Sequence, residues 1–196
     1  MQLQNDEYLF EKIKTGDKKA LEILFERYYI PLCDFAYRFL KSNDLSEEAV
    51  SDVFIKLWSS RLQINLQSNL KSYLYRAVRN TALNYLKKEN KNTEDLSTVS
   101  DFLAKQNQSA DHQLLFSEYQ NELERCINLL PDRQKLVFRM SRLDGLKYKE
   151  IAEILGISVH TVQNHLVESV KTLSKKYDYF SSLKILILLS LCFIGL

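Results

Sequence analysis

Glycine and proline are nearly absent from this chain, with four and two respectively among 196 residues. An all-β sandwich or barrel needs such residues at turn after turn, so the chain has to fold mainly as long helices. The apolar residues agree with that. Leu21, Leu24, Phe25 and Tyr28 recur at the spacing of one helix face, and Leu32, Phe35, Ala36 and Phe39 repeat it beyond Pro31, where a helix start or a kink is expected. Ser46, followed by Glu47 and Glu48, reads as the start of a further helix carrying Val50, Val53, Phe54 and Leu57 as far as Trp58. Past residues 61–69, another helix is marked by Leu70, Tyr73, Leu74, Ala77, Val78, Ala82 and Tyr85.

The pattern fails between Lys87 and His112, which is polar and rich in Asn, Gln, Ser and Thr, and so reads as a tether. Periodicity returns at Leu114 and Leu115 and runs through Tyr119, Leu123 and Ile127 to a break at Pro131. The expected fold class is all-α. Two small helical domains, 1–90 and 113–180, are joined by a flexible linker over 91–112, and 181–196 forms a hydrophobic tail. In that tail Ile185–Leu196 carries no charge. Twelve helical residues reach ~18 Å, short of a ~30 Å hydrocarbon core. A tilted span, a core helix and a tag for a partner protein or the inner membrane face all stay open. The first seventeen residues hold acids and no apolar run, unlike a secretory signal. Cys33, Cys126 and Cys192 are far apart and lack C-x-x-C spacing, which fits a reducing compartment such as the cytoplasm.

Net charge is only +2, so any signal for nucleic acid has to be local. Residues 42–60 hold Asp44, Glu47, Glu48 and Asp52 against Lys56 alone. Residues 71–91 reverse this, with Lys71, Arg76, Arg79, Lys87, Lys88 and Lys91 against Glu89. Tyr73, Tyr75 and Tyr85 lie among those cations. Such a helix is either a solvated face or a surface where cations track phosphates and aromatics stack on bases.

The sharpest local pattern runs over 145–173. A short helix, Leu146 to Leu155 with Ile151, Ala152 and Leu155 inward, meets Gly156 where the chain must turn. Ile157 fills the turn and Ser158 is a good cap for a second helix that buries Val162, Leu166, Ser169, Val170 and Leu173. This is helix-turn-helix spacing, although an ordinary αα-hairpin shares much of it. Steps of 100° place His160, Gln163, Asn164, Val167 and Lys171 outward, flanked by Thr161 and His165. Polar groups near such a helix start reach base edges, while Arg139, Arg142, Lys147 and Lys149 are placed to hold phosphates.

Taken in order, residues 20–29, 52–58, 72–88 and 130–134 and the helix-turn-helix resemble the two-domain bacterial RNA polymerase sigma factors of the extracytoplasmic-function group. Their wording is closest to the subgroup common in Bacteroides-like bacteria. The resemblance implies a transcription initiation factor that binds core RNA polymerase and promoter DNA, with an anti-sigma protein as a further partner. It assigns Asp52, Phe54, Ile55, Lys56 and Trp58 to polymerase binding, although Val53, Phe54 and Leu57 are core-like on physics alone. It assigns the −10 element to Asn65, Ser68 and Asn69 in the loop, and to Tyr75, Arg76, Arg79, Asn80, Lys87 and Lys88 on the basic helix. Extruding a base there costs a few kcal/mol that the loop must offset. Asn80 has a structural reading too, as a cap for a neighbouring backbone group. The −35 duplex falls to Arg142, Lys147, Ser158, His160, Thr161, Gln163, Asn164 and Lys171. One departure is Glu168, where the group often carries a cation; an acid there repels phosphate.

The alternative is a two-domain regulator that binds duplex DNA only, which has no use for the Asp52–Trp58 segment. An enzyme fits badly. His112, His160 and His165 lack metal spacing, and no Gly-rich phosphate loop or Ser/His/Asp set is present, so no metal or cofactor is expected.

Overall fold

The computed structural model describes residues 5–66, 69–90 and 124–176, which fall into two compact helical units. The expected linker at 91–112, the tail at 181–196 and Ser68 lie outside the described residues.

In the first unit, α1 (Asp6–Lys14) starts at Asn5, whose side chain accepts from the Glu7 N–H, and has acids in its first turn and lysines in its last. Asp17 caps α2 (Lys18–Leu40), accepting from the N–H groups of Lys19 and Ala20. Pro31 lies inside α2 and does not end it. The apolar stripe continues across the proline, and burial of Tyr28, Leu32, Phe35 and Ala36 outweighs one lost ladder bond. The helix ends at Lys41, in the left-handed conformation with φ 54°.

Helix α3 (Asn43–Ser59) starts three residues before the expected start at Ser46. Ser42 is the cap, accepting from the Leu45 N–H at 3.3 Å, while Ser46 is buried and donates back to the Ser42 carbonyl at 2.6 Å. Two serines four apart offer the same signature, and packing puts the second one inside. Helix α4 (Leu70–Asn90) begins at Asn69, whose Oδ1 accepts from the Ser72 N–H at 2.8 Å.

Helix α2 packs against the other three, and α4 is touched by all of them. The core joins Leu24, Leu32, Leu57, Leu74 and Val78, each fully buried. Aromatic contacts tie the helices further: Phe25 meets Phe54 edge-on at 4.9 Å, and Phe35 meets Tyr75 at 5.0 Å. Asp6 fastens α1 to α2, accepting from the Arg27 guanidinium and from the Tyr28 hydroxyl. Burial first, and then this carboxylate, push the Tyr28 phenol far above its ordinary range, so it stays a donor.

The second unit comprises a helical stretch at 124–128, α5 (Asp132–Arg142), α6 (Tyr148–Leu155) and α7 (Val159–Lys176). Ile127, Leu136, Met140, Ile151 and Val162 close its core. Helix α6 starts at Tyr148 rather than Leu146. Lys147 is its cap, with its N–H held by the Glu150 carboxylate at 2.7 Å, and Leu146 is buried in the preceding loop. Ile154, not Leu155, takes the third inward position. The inward arc is centred on Ile151 and Ile154, and Leu155 rotates to its rim. Gly156 turns the chain with φ 69° and ψ 36°, and the Ile157 N–H returns to the Ala152 carbonyl at 3.0 Å.

Candidate nucleic-acid interface

The tight turn at Gly156 aims α7. Ser158 closes its start, accepting from the Thr161 N–H at 3.0 Å and lying 2.8 Å from the Thr161 hydroxyl. Val162, Leu166, Ser169 and Leu173 are buried, and Val170 is half-buried. By the same helical geometry His160, Gln163, Asn164, Val167 and Lys171 are all exposed, as the sequence predicts. The face therefore offers an imidazole, two amides and one aliphatic side chain, the groups that pair with base edges and thymine methyls. Ser158 and Thr161 spend their hydroxyls on each other and on the cap. Lys171 is paired with Glu168 at 2.7 Å, so the acid expected to repel phosphate neutralises the neighbouring cation instead.

Arg142 ends α5 and Lys147 caps α6, the helix before the turn. Arg142 is half-buried and its Nη2 donates to the Tyr148 hydroxyl at 3.3 Å; Lys147 is exposed. Arg139 is corrected from its expected phosphate role, because it forms an ion pair with Glu124 and its side chain is only 18% exposed.

His165, at the edge of the face, is half-buried. Burial, and second the charge of Arg133, hold its imidazole below the ordinary value of 6.5. The unfolded chain then takes the proton first, so the second unit loses stability as pH falls below 6.5 towards the lower folded value. Melting curves at about pH 7.5 and about pH 5.5 test this. The transition of the second unit should fall on acidification, and His165→Gln should remove part of that fall.

In the first unit, Tyr73, Arg76, Asn80 and Lys87 follow one another at helical spacing along α4. Asn80, Lys87 and Lys88 are exposed, while Arg76 and Arg79 are half-buried. Burial lowers the Arg79 pKa from its ordinary value, though a guanidinium stays charged. Tyr75 does not belong to this surface. It is 1% exposed, its ring locked against Phe35. In the loop Asn65 is exposed, and Asn69 is exposed with its oxygen committed to the α4 cap.

The end of α3 divides in the same way. Asp52, Ile55 and Lys56 are exposed, with Ile55 at 66%, and Trp58 is half-buried. Phe54 is 4% exposed and packs edge-on against Phe25, so it lines the floor of the surface and offers little area of its own. Ile55, Trp58, Leu21 and Phe25 line an apolar groove of about 470 Å³ between α2 and α3, with Lys18 and Glu22 at its edge.

Two features escape a reading of the sequence. The Arg61 guanidinium lies 4.5 Å over the Trp58 ring and donates to the Trp58 carbonyl at 2.8 Å, which the i, i+3 spacing could have signalled. The Tyr85 hydroxyl donates to Asp52 at 2.8 Å across 33 residues, for which no local signal exists.

Compared with known proteins, residues 24–92 match the family described as Sigma-70 region 2, and residues 120–173 match Sigma-70, region 4. The chain is 28% identical over 183 residues to the ECF RNA polymerase sigma-E factor of Haemophilus influenzae, covering 87% of this chain and 94% of that protein. It is 27% identical over 179 residues to the factor of the same name from Escherichia coli K12, covering 87% and 93%. Among solved structures, its fold is similar to that of the sigma factor RpoE in complex with the anti-sigma factor NepR from Bartonella quintana. That match has a TM-score of 0.57 at 20% identity over 80% of this chain and 96% of that one. CnrH in complex with the cytosolic domain of CnrY gives a TM-score of 0.52 at 18% identity over 87% and 95%. Two sigma-70 regions in their family order span more than half of the residues, and sigma-E relatives align along most of the length; the chain therefore belongs to the sigma-70 family, as an RNA polymerase sigma factor of the extracytoplasmic-function group.

Proposed function

We propose that this factor binds core RNA polymerase through the exposed end of α3, with Asp52, Ile55, Lys56 and Trp58 as the gripping side chains. Asn65, Asn69 and Asn80, with the cations Arg76, Arg79, Lys87 and Lys88, then take the −10 strand. His160, Gln163 and Asn164 read the −35 duplex, with Arg142 and Lys147 on its phosphates. The observation that carries this reading is the exposed chemistry of the two units. One offers amides and an imidazole on a helix set by a tight turn; the other offers cations and amides on α4 and in the loop before it, and an apolar groove between α2 and α3. A regulator confined to duplex DNA has no use for the second surface.

Further assignments belong to the same reading. The working divisions are 1–90, 91–112, 113–180 and 181–196. An anti-sigma protein is a partner, a role supported by the NepR complex of the Bartonella factor, whose fold is similar. The subgroup common in Bacteroides-like bacteria, which the matching stretches together resemble, is part of this proposal. A factor that works on polymerase and promoters works in the cytoplasm. No helix among the described residues is long and apolar enough to cross a membrane.

The test mixes the purified protein with core polymerase and a promoter library and sequences the transcripts. Starts about ten base pairs below a shared motif support the reading. A protein that shifts duplex DNA and never binds core overturns it.

On the −35 side, His160→Ala and Asn164→Ala should each cost about 1–3 kcal/mol, and only at particular base positions. Arg142→Ala should weaken all sequences alike and flatten the salt dependence. Binding to a set of single-base duplex variants at two salt concentrations separates these outcomes.

A further inference from the structure

Tyr85 is the side chain through which α4 reaches α3 at its solvent edge. Its hydroxyl donates to Asp52 Oδ2 at 2.8 Å. The Lys88 ammonium lies 6.0 Å from the centre of its ring, one turn further along α4. Asp52 and Lys88 are both exposed, while the Tyr85 ring is partly covered. Glu48, one turn before Asp52 on α3, is exposed on the same side. Burial and these two carboxylates push the phenol well above its ordinary range, so it remains a neutral donor at any physiological pH.

A short carboxylate on a helix surface samples several rotamers, and ordering it on binding costs entropy. A phenol anchored on a second helix removes that cost. It fixes one carboxylate oxygen and thereby sets the direction of the whole group. The ring is itself steadied by the Lys88 cation. We propose that Tyr85 is a positioning residue for polymerase binding: from α4, the helix assigned to promoter DNA, it holds the Asp52 carboxylate of α3 in the orientation that meets a cationic group of the core enzyme. This rests on the reading that Asp52 faces the polymerase.

The geometry makes the role separable from that of a simple strut. Tyr85→Phe keeps the ring, its partial burial and its contact with Lys88, and removes only the hydroxyl. If the hydroxyl acts through Asp52, its loss matters only while a carboxylate stands at that position. Two residues acting through one another give non-additive effects, whereas two independent contributions add.

The experiment measures the affinity of the full-length protein for core RNA polymerase in Tyr85→Phe, Asp52→Asn and the double variant, with melting curves for each. Tyr85→Phe should weaken core binding about threefold to tenfold, Asp52→Asn about tenfold or more, and Tyr85→Phe should add less than about twofold in the Asp52→Asn background. Melting temperatures should stay close to that of the parent. Equal losses from Tyr85→Phe in both backgrounds, tracking a fall in melting temperature, would make Tyr85 a structural strut. No loss from Tyr85→Phe beside a clear loss from Asp52→Asn would overturn the positioning role and leave the polymerase surface intact. Unchanged core binding in Asp52→Asn would instead remove Asp52 from the polymerase surface, and the role of Tyr85 with it.

Discussion

Replacing Ile55 and Trp58 together by alanine should lower the affinity for core RNA polymerase by about a hundredfold, if these side chains are the proposed grip. Ile55 is a large aliphatic side chain held 66% exposed on a well-packed helix, and it lines the apolar groove together with Trp58. Trp58 is half-buried at the mouth of the groove, its ring already ordered beneath the Arg61 guanidinium. Interfaces draw most of their energy from a few such aromatic anchors, with truncation costing 2 kcal/mol or more for a tryptophan. Adding about 1 kcal/mol for the isoleucine reaches the stated factor, since each ~1.4 kcal/mol is tenfold. The double variant keeps Phe54, Leu57 and Val53 in place, so its melting temperature drops by only a few degrees. Titration of labelled protein with core enzyme, alongside calorimetry, checks both halves. A hundredfold loss accompanied by gross unfolding would remove the support for a docking surface.

The neighbouring residue gives the opposite result. Phe54→Ala should keep the Ile55 and Trp58 side chains and take about 3–5 kcal/mol from the stability of the first unit. Phe54 is 4% exposed and meets Phe25 edge-on at 4.9 Å, so the truncation opens a cavity between α2 and α3 and loses a ring contact. Against a typical total of 5–15 kcal/mol this is a large fraction, worth more than ~10 °C in a domain of this size. Thermal denaturation followed by circular dichroism measures it. A small shift would show that the site collapses to fill the gap.

The contrast between Phe54 and Ile55 also marks how far the sequence is legible. Periodicity along α7 is complete in itself: Val162, Leu166 and Leu173 define the inner side, and the outer side follows by rotation. Gly156 declares its turn because few other residues accept that backbone. Helix α4 is harder. It is touched by α1, α2 and α3, so its buried arc is wider than one stripe and takes in Tyr75, which a single-face reading leaves among the charges. Phe54 is legible as a core position from its spacing with Val53 and Leu57, and its ring meets Phe25 of α2. Arg139 looks like a phosphate ligand until the chain brings Glu124 beside it, and Asp52 carries no local hint of Tyr85. What sequence spacing conveys is the neighbourhood within a helix; partners on other helices belong to the packing.

Pro31 has a mechanical consequence for the groove. It has no N–H to give the carbonyl one turn earlier, so α2 is a beam with one rung missing near its middle. Lys18, Leu21, Glu22 and Phe25, the groove wall, all lie before the gap, and Phe35, which braces Tyr75, lies after it. The groove wall and the brace of α4 therefore stand on opposite sides of the missing hydrogen bond, the point at which α2 resists bending least.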